Sequence, residues 1–347
     1  MHRRGDTGAA VAEVRARLAH LGYIDESPSD VFDDELDHAV RTFQQERGLT
    51  VDGIVGPDTF RRLDEARWKL GDRILRFVPG HLVRGDDVAD LQRRLNTMGF
   101  NSGRVDGAFG RQTDVAVREF QKSVGDTVDG TCGPETFRAF ERLVRTISGG
   151  NAANLRGRLT VSALQTGIAD KVIVLDPGFD ANDEQSNEIT RSVAMRVEGR
   201  LAALGTQVFL TRSAAKSLAD DATRADFANR TNADILISLH CDRTASSRPN
   251  GIATFYFGES EEGTHSYTGR SLAEQIQVEL CARTRMHNNR SHPRTWDLLR
   301  MSRMPAVRVD LGYLSNPQDA DRLVQASHQD VVAAALSAAI TRFCKPV

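Results

Sequence analysis

The second half of the chain presents an imidazole and several carboxylates where apolar runs stop. Ile235-Leu236-Ile237-Ser238-Leu239-His240 ends on a histidine, and Ala306-Val307-Arg308-Val309-Asp310-Leu311 carries an aspartate near its end. Val172-Ile173-Val174-Leu175-Asp176 stops at Pro177-Gly178 and delivers Phe179, and Glu188 opens the next amphipathic stretch. Imidazoles and carboxylates at such points bind metals and transfer protons. A phenyl ring does neither. Each polar residue also has a plainer role. A histidine there hydrogen-bonds within the fold, a glutamate at a helix start favours the helix dipole, and an aspartate caps a loop. Cys241 directly follows His240, and alternation along a strand sends it to the opposite face.

The elements that must position these residues alternate between strand and helix. Strands are expected at 171–176, 206–211, 234–241, 251–257 and 306–311, and helices at about 188–204, 220–232, 265–285 and 328–343. That order argues for an α/β domain with a twisted, mostly parallel sheet. The unbroken apolar run 235–239 suits a central strand covered on both faces. Ligands in such folds sit at the C-terminal ends of the strands, where Phe179, His240 and Asp310 fall. Arg212 closes the second strand, Arg224 precedes the His240 strand, and Arg294 lies with Trp296 near the presumed cleft. These three arginines are candidates for ligand contact.

The first ~140 residues repeat at a shift of about 77 positions without a gap. Gly8, Leu18, Phe32, Phe43, Gln44, Val51-Asp52-Gly53 and Gly56-Pro57 recur as Gly85, Leu95, Phe109, Phe120, Gln121, Val128-Asp129-Gly130 and Gly133-Pro134. Each copy reads as three short helices. The expected division is a first module over 5–66, a second over 82–147, a linker over 148–170 centred on Ser148-Gly149-Gly150-Asn151, and an α/β domain over 171–347.

The strand-end motifs resemble those of the zinc-dependent N-acetylmuramoyl-L-alanine amidases of the Amidase_3 family, and the repeats resemble the peptidoglycan-binding domain 1 family. The first resemblance implies a zinc ion held by His, Glu and His, with a second glutamate as general base. By position, His240 and Glu188 are remnant ligands, Phe179 replaces the first histidine, and Asp310 replaces the base. Two ligands should hold zinc weakly, so no cofactor, or only residual zinc, is expected. Asp180 and Asp183 are the carboxylates nearest to serving as a substitute ligand. The second resemblance implies a binding loop, and copy two retains Asp106, Gly107 and Gly110 as its candidate ligand-binding residues. Copy one has Pro28-Ser29-Asp30-Val31-Phe32-Asp33 there and lacks both glycines.

The 347 residues carry a net charge of -2, which gives no reason to expect nucleic acid. No apolar run approaches the ~20 residues of a membrane span. No secretory h-region follows Met1, and the four cysteines are scattered, which fits a reducing, cytoplasmic location. Tandem modules ahead of an altered zinc site resemble the CwlM-type group of actinobacteria. That resemblance implies a regulator of peptidoglycan synthesis that activates the UDP-N-acetylglucosamine enolpyruvyl transferase under control of a serine/threonine protein kinase. Two alternatives stand beside it: a working amidase with an altered metal site, and a sensor binding muropeptide or lipid-linked peptidoglycan precursor without cutting it.

Overall fold

The computed structural model describes residues 1–144, 160–212, 220–258 and 265–346. The proposed Ser148-Gly149-Gly150-Asn151 linker lies outside the described residues. The chain divides into two units, Met1–Arg156 and Gly157–Val347.

The first unit holds six helices among its described residues: α1 (Ala9–His20), α2 (Asp34–Glu46), α3 (Pro57–Ala66), α4 (Asp86–Thr97), α5 (Arg111–Val124) and α6 (Pro134–Val144). Their starts fall at 9, 34 and 57 and again at 86, 111 and 134, each pair 77 apart. The gapless sequence repeat is therefore a structural one. Each copy closes its own core. Val11, Leu18, Leu36, Phe43 and Leu63 fill the first, and Val88, Leu95, Phe109, Phe120 and Phe140 fill the second. Leu70, in the connection, packs against the second core. An Arg47–Asp86 ion pair of 2.5 Å bridges the copies.

A buried glutamine organises each Val-Asp-Gly turn. The Gln121 amide donates to the Asp129 carboxylate (2.8 Å), the Thr131 carbonyl (3.1 Å) and the Thr136 hydroxyl (3.1 Å), and its oxygen accepts from Gly130 N–H (2.9 Å). Gln44 does the same for Asp52, Ile54, Thr59 and Gly53. Gln92 clamps Asp106, Ala108, Thr113 and Gly107. The Gln92 position in copy one is Arg15, which is 1% exposed and donates to the Val31 carbonyl (3.1 Å) and the Asp33 carboxylate (2.5 Å). An arginine–aspartate clamp thus replaces the glutamine clamp, and the turn no longer uses the two glycines.

The second unit is built on a six-stranded sheet of order β2-β1-β3-β6-β4-β5. The strands are β1 (Val172–Pro177), β2 (Gln207–Leu210), β3 (Ile235–Asp242), β4 (Ile252–Phe257), β5 (Asn288–Arg294) and β6 (Ala306–Tyr313). β2, β1, β3 and β6 run parallel, β4 is antiparallel to β6, and β5 follows β4. Among the described residues, 160–164 are helical, and the helices described over their full length are α7 (Glu184–Ala202), α8 (Asp221–Arg230), α9 (Tyr267–Thr284), α10 (Asp297–Met301), α11 (Pro317–Leu323) and α12 (Ala326–Phe343). β5, α10 and α11 were not expected from sequence. β5 reads Asn-Asn-Arg-Ser-His-Pro-Arg, with little apolar character and a proline that only an edge strand tolerates.

Strand alternation sorts the sheet into two faces. Ile173, Leu175, Ile237, Leu239, Val307 and Val309 join a core with α7, α9 and α12. Val174, Leu236, Ala306 and Phe255 join a smaller one with α8 and α10. Towards the C-terminal ends of β1, β3 and β6 this second face turns polar.

The glutamine clamp yields a stability prediction. Gln121→Ala leaves the Gly130 N–H and the Asp129 and Thr136 groups short of partners, at a cost of about 3 kcal/mol. Chemical denaturation of the full chain measures this. A loss under about 0.5 kcal/mol would mean that the network is incidental.

Candidate functional site

Asp176 of β1, Ser238 and His240 of β3, and Arg308 and Asp310 of β6 share the polar end of the second face. Their register is direct: Asp176 lies opposite Ser238, Ser238 opposite Arg308, and His240 opposite Asp310. Asp176 is fully buried and accepts from Thr211 (2.5 Å), Ser238 (2.5 Å) and Arg224 of α8. Since the Ser238 hydroxyl donates to Asp176, its oxygen accepts from His240 Nε2, at 2.8 Å. His240 therefore carries its proton on Nε2. Burial, reinforced by the Arg308, Arg224 and Arg212 guanidiniums, holds its pKa well below the ordinary histidine value, so the ring is neutral. The serine between imidazole and acid is fully buried and has no access to a substrate.

The other ring nitrogen faces Gly178. A Cβ placed on Gly178 would lie 2.5 Å from His240 Nδ1 and 2.7 Å from the Leu239 carbonyl oxygen, so only glycine fits where the chain turns after β1. Phe179 follows, with the Arg212 guanidinium 5.5 Å from its ring centre.

Arg212 acts as a strut. It is 5% exposed and donates to the carbonyls of Pro177 (2.7 Å), Gly178 (2.7 Å) and Asn187 (3.2 Å), which ties the end of β1 to α7. Arg224 is likewise committed, to Asp176 and Asp221. Glu188 does not open its helix. Asp183 caps α7 by accepting from Ser186 N–H (3.0 Å), Glu184 occupies the first turn, and Glu188 stands exposed one turn further in. The dipole role expected of Glu188 belongs to those two residues.

The substitute carboxylates are engaged elsewhere. Asp183 pairs with Arg243 at 2.9 Å, and Asp180 accepts from Asn182 N–H at 2.8 Å. Asp310 is 4% exposed and accepts from Arg308 Nε at 2.7 Å. Burial opposes the charge of Arg308, but Asp310 and Asp242 hold its pKa above the ordinary arginine value. Among the described residues no group of three or more His, Cys, Asp or Glu side chains is placed to hold a metal ion. The donor set at these strand ends therefore does not fit a three-ligand zinc centre.

Cys241 packs against the three-helix core on the opposite face, as alternation requires. In the first unit Asp106 and Gly107 are held by Gln92, and Gly110 precedes α5. Arg294 lies at the end of β5 beside Phe255 and Trp296. Sequence reading missed Arg308. Its only sign was the Arg308-Val309-Asp310 alternation, which puts opposite charges on one strand face.

Residues 173–342 match the N-acetylmuramoyl-L-alanine amidase family model, and 7–63 and 84–140 match that of the putative peptidoglycan binding domain. The class is thus a tandem peptidoglycan-binding-domain protein with an amidase-fold C-terminal unit. The chain is 43% identical, over 98% of its length and 88% of the relative's, to the N-acetylmuramoyl-L-alanine amidase CwlM of Mycobacterium tuberculosis, and it belongs to the CwlM family. The probable cell wall amidase LytH of Staphylococcus saprophyticus is 28% identical over 49% of this chain and 57% of its own. Among solved structures, the amidase Ami1 from Mycobacterium smegmatis aligns with a TM-score of 0.46 at 20% identity, over 52% of this chain and 99% of that one.

The buried pair at the centre of the site gives the next prediction. Asp176→Asn leaves Arg224 buried without its full counter-charge and costs about 3–5 kcal/mol in unfolding free energy. The double variant Asp176→Asn, Arg224→Met recovers part of that loss, because no charge then stays buried alone. Denaturation curves of both variants against the parent test this. Equal losses in the two would refute the pairing.

Proposed function

We propose that this protein is a cytoplasmic regulator of peptidoglycan synthesis built on an amidase scaffold that does not hydrolyse. The observation that carries the reading is internal satisfaction of the strand-end groups. Asp310 is held by Arg308, His240 donates to Ser238 while its other nitrogen faces Gly178, and Phe179 stands in the first ligand position. A hydrolytic site of this family needs an open metal position and a free carboxylate base. The regulatory role, activation of the UDP-N-acetylglucosamine enolpyruvyl transferase by protein contact under a serine/threonine kinase, rests on the resemblance to the CwlM-type group. Muropeptide or lipid-linked precursor is the further ligand this scaffold suggests. No helix among the described residues is long and apolar enough to cross a membrane.

A second reading is favoured by the name of the mycobacterial relative. In it the protein is a zinc-dependent N-acetylmuramoyl-L-alanine amidase that recruits a substitute ligand after the strand ends rearrange.

Metal content by mass spectrometry, on protein purified without chelator, separates the two. The expected result is no stoichiometric zinc in the parent. Zinc binding and muropeptide cleavage should be gained by Phe179→His with Asp310→Glu, and more fully when Arg308→Met also removes the competing cation. Stoichiometric zinc in the parent would establish the second reading. In a parallel assay, adding the parent to the purified enolpyruvyl transferase should raise its turnover. No effect, with or without prior kinase treatment, would remove the partner assignment.

A further inference from the structure

The face that carries His240 and Asp310 holds a second charged group that neither reading uses. Phe255 of β4 lies between Arg308 of β6 and His292 of β5 in register, and Arg294 ends β5 beside Phe257. The Arg308 guanidinium stands 4.5 Å from the Trp296 ring centre. That of Arg294 stands 5.9 Å from the same ring and 5.3 Å from Phe255. The two rings are themselves 5.0 Å apart. Two guanidiniums thus converge on one aromatic wall.

Only one of the two has an ion-pair partner among the described residues. Arg308 has Asp310 as its partner. Arg294 donates to the adjacent Pro293 carbonyl at 2.9 Å, and among the described residues no carboxylate lies within ion-pair distance of it. Burial depresses its pKa, Asp310 opposes this in part, and the Arg308 charge adds a smaller lowering. The Arg294 guanidinium thus brings a cation without an ion-pair partner among the described residues to a partly buried place beside Arg308. Aromatic walls exclude water there and strengthen any ionic contact made. Arginine offers a planar fork of donors suited to two oxygens at once.

We infer that Arg294 and Arg308, walled by Phe255 and Trp296, form a binding subsite for one oxyanion of a ligand entering the strand-end cleft. The ligand group is a carboxylate or a phosphate. The subsite does not depend on whether the domain hydrolyses.

Trp296 reports on the subsite directly, because the chain has only one other tryptophan, Trp68. In a Trp68→Phe background, tryptophan fluorescence is followed during titration with acetate, inorganic phosphate and pyrophosphate, against chloride at matched ionic strength. A saturable change with at least one probe is expected, weakened at least about tenfold by Arg294→Met and less by Arg294→Lys, which keeps the charge but not the fork. Response to the phosphates alone assigns a phosphate ligand, and response to acetate alone assigns a carboxylate. No saturable change beyond chloride, or an unaltered response in both Arg294 variants, would overturn the subsite. Unchanged circular dichroism in the lysine variant keeps the comparison valid if the methionine variant misfolds.

Discussion

Asp176 is the constraint on which the catalytic-like end of the second unit depends. A carboxylate with no exposure at the end of a strand is sustainable only if every lone pair is used and a cation stands close. Thr211, Ser238 and Arg224 meet that demand. In doing so they join β1, the segment after β2, strand β3 and helix α8 at one point. Ser238 spends its proton on Asp176, and that choice sets the tautomer of His240. The histidine's availability is therefore decided through Ser238 by a buried acid on the neighbouring strand.

The Arg308–Asp310 pair repeats this logic on the neighbouring strand. A free carboxylate beside a neutral imidazole would offer two donors to a divalent cation. A guanidinium at 2.7 Å offers the carboxylate a monovalent substitute that is covalently part of the protein. Such a partner is always present at high local concentration, so an incoming metal must displace it as well as its own water. Phe179, after β1, adds a ring that offers no donor. These features reach one end of the sheet from two strands, Phe179 after β1 and the Arg308–Asp310 pair on β6.

Much of this architecture was legible in the chain. The helical repeat was readable because it holds its register without a gap, and strands β1, β2, β3, β4 and β6 were readable from their apolar runs. β5 was not, because an edge strand need not bury either face and its residues are polar. The positions of His240, Asp310 and Phe179 followed from where apolar runs stop. Their partners did not. Hydrogen bonds such as His240 to Ser238 join residues of one strand, but which way each proton points depends on Asp176, 62 positions earlier. The start of α7 was misplaced by four residues because the cap, Asp183, is also held by Arg243, a long-range pairing invisible to local pattern.

The same principle explains why the two repeats differ without unfolding. In copy two Gln92 accepts from the N–H of Gly107, and the turn sets Gly107 at a φ of 70°, a conformation that favours glycine. In copy one Arg15 reaches the Val31 carbonyl and the Asp33 carboxylate, and Asp33 also caps α2 through Leu36 N–H. The turn is then held by a charge pair instead of by a backbone amide, which frees it from glycine. Loss of a motif's glycines in a sequence therefore signals a change of clamp, and the core that the clamp closes is left intact. In the second unit Phe179, Arg308 and Asp310 likewise find partners within the fold, the ring beside Arg212 and the two charges in one ion pair. What separates Arg294 from these is that it has no ion-pair partner among the described residues and donates only to the Pro293 carbonyl.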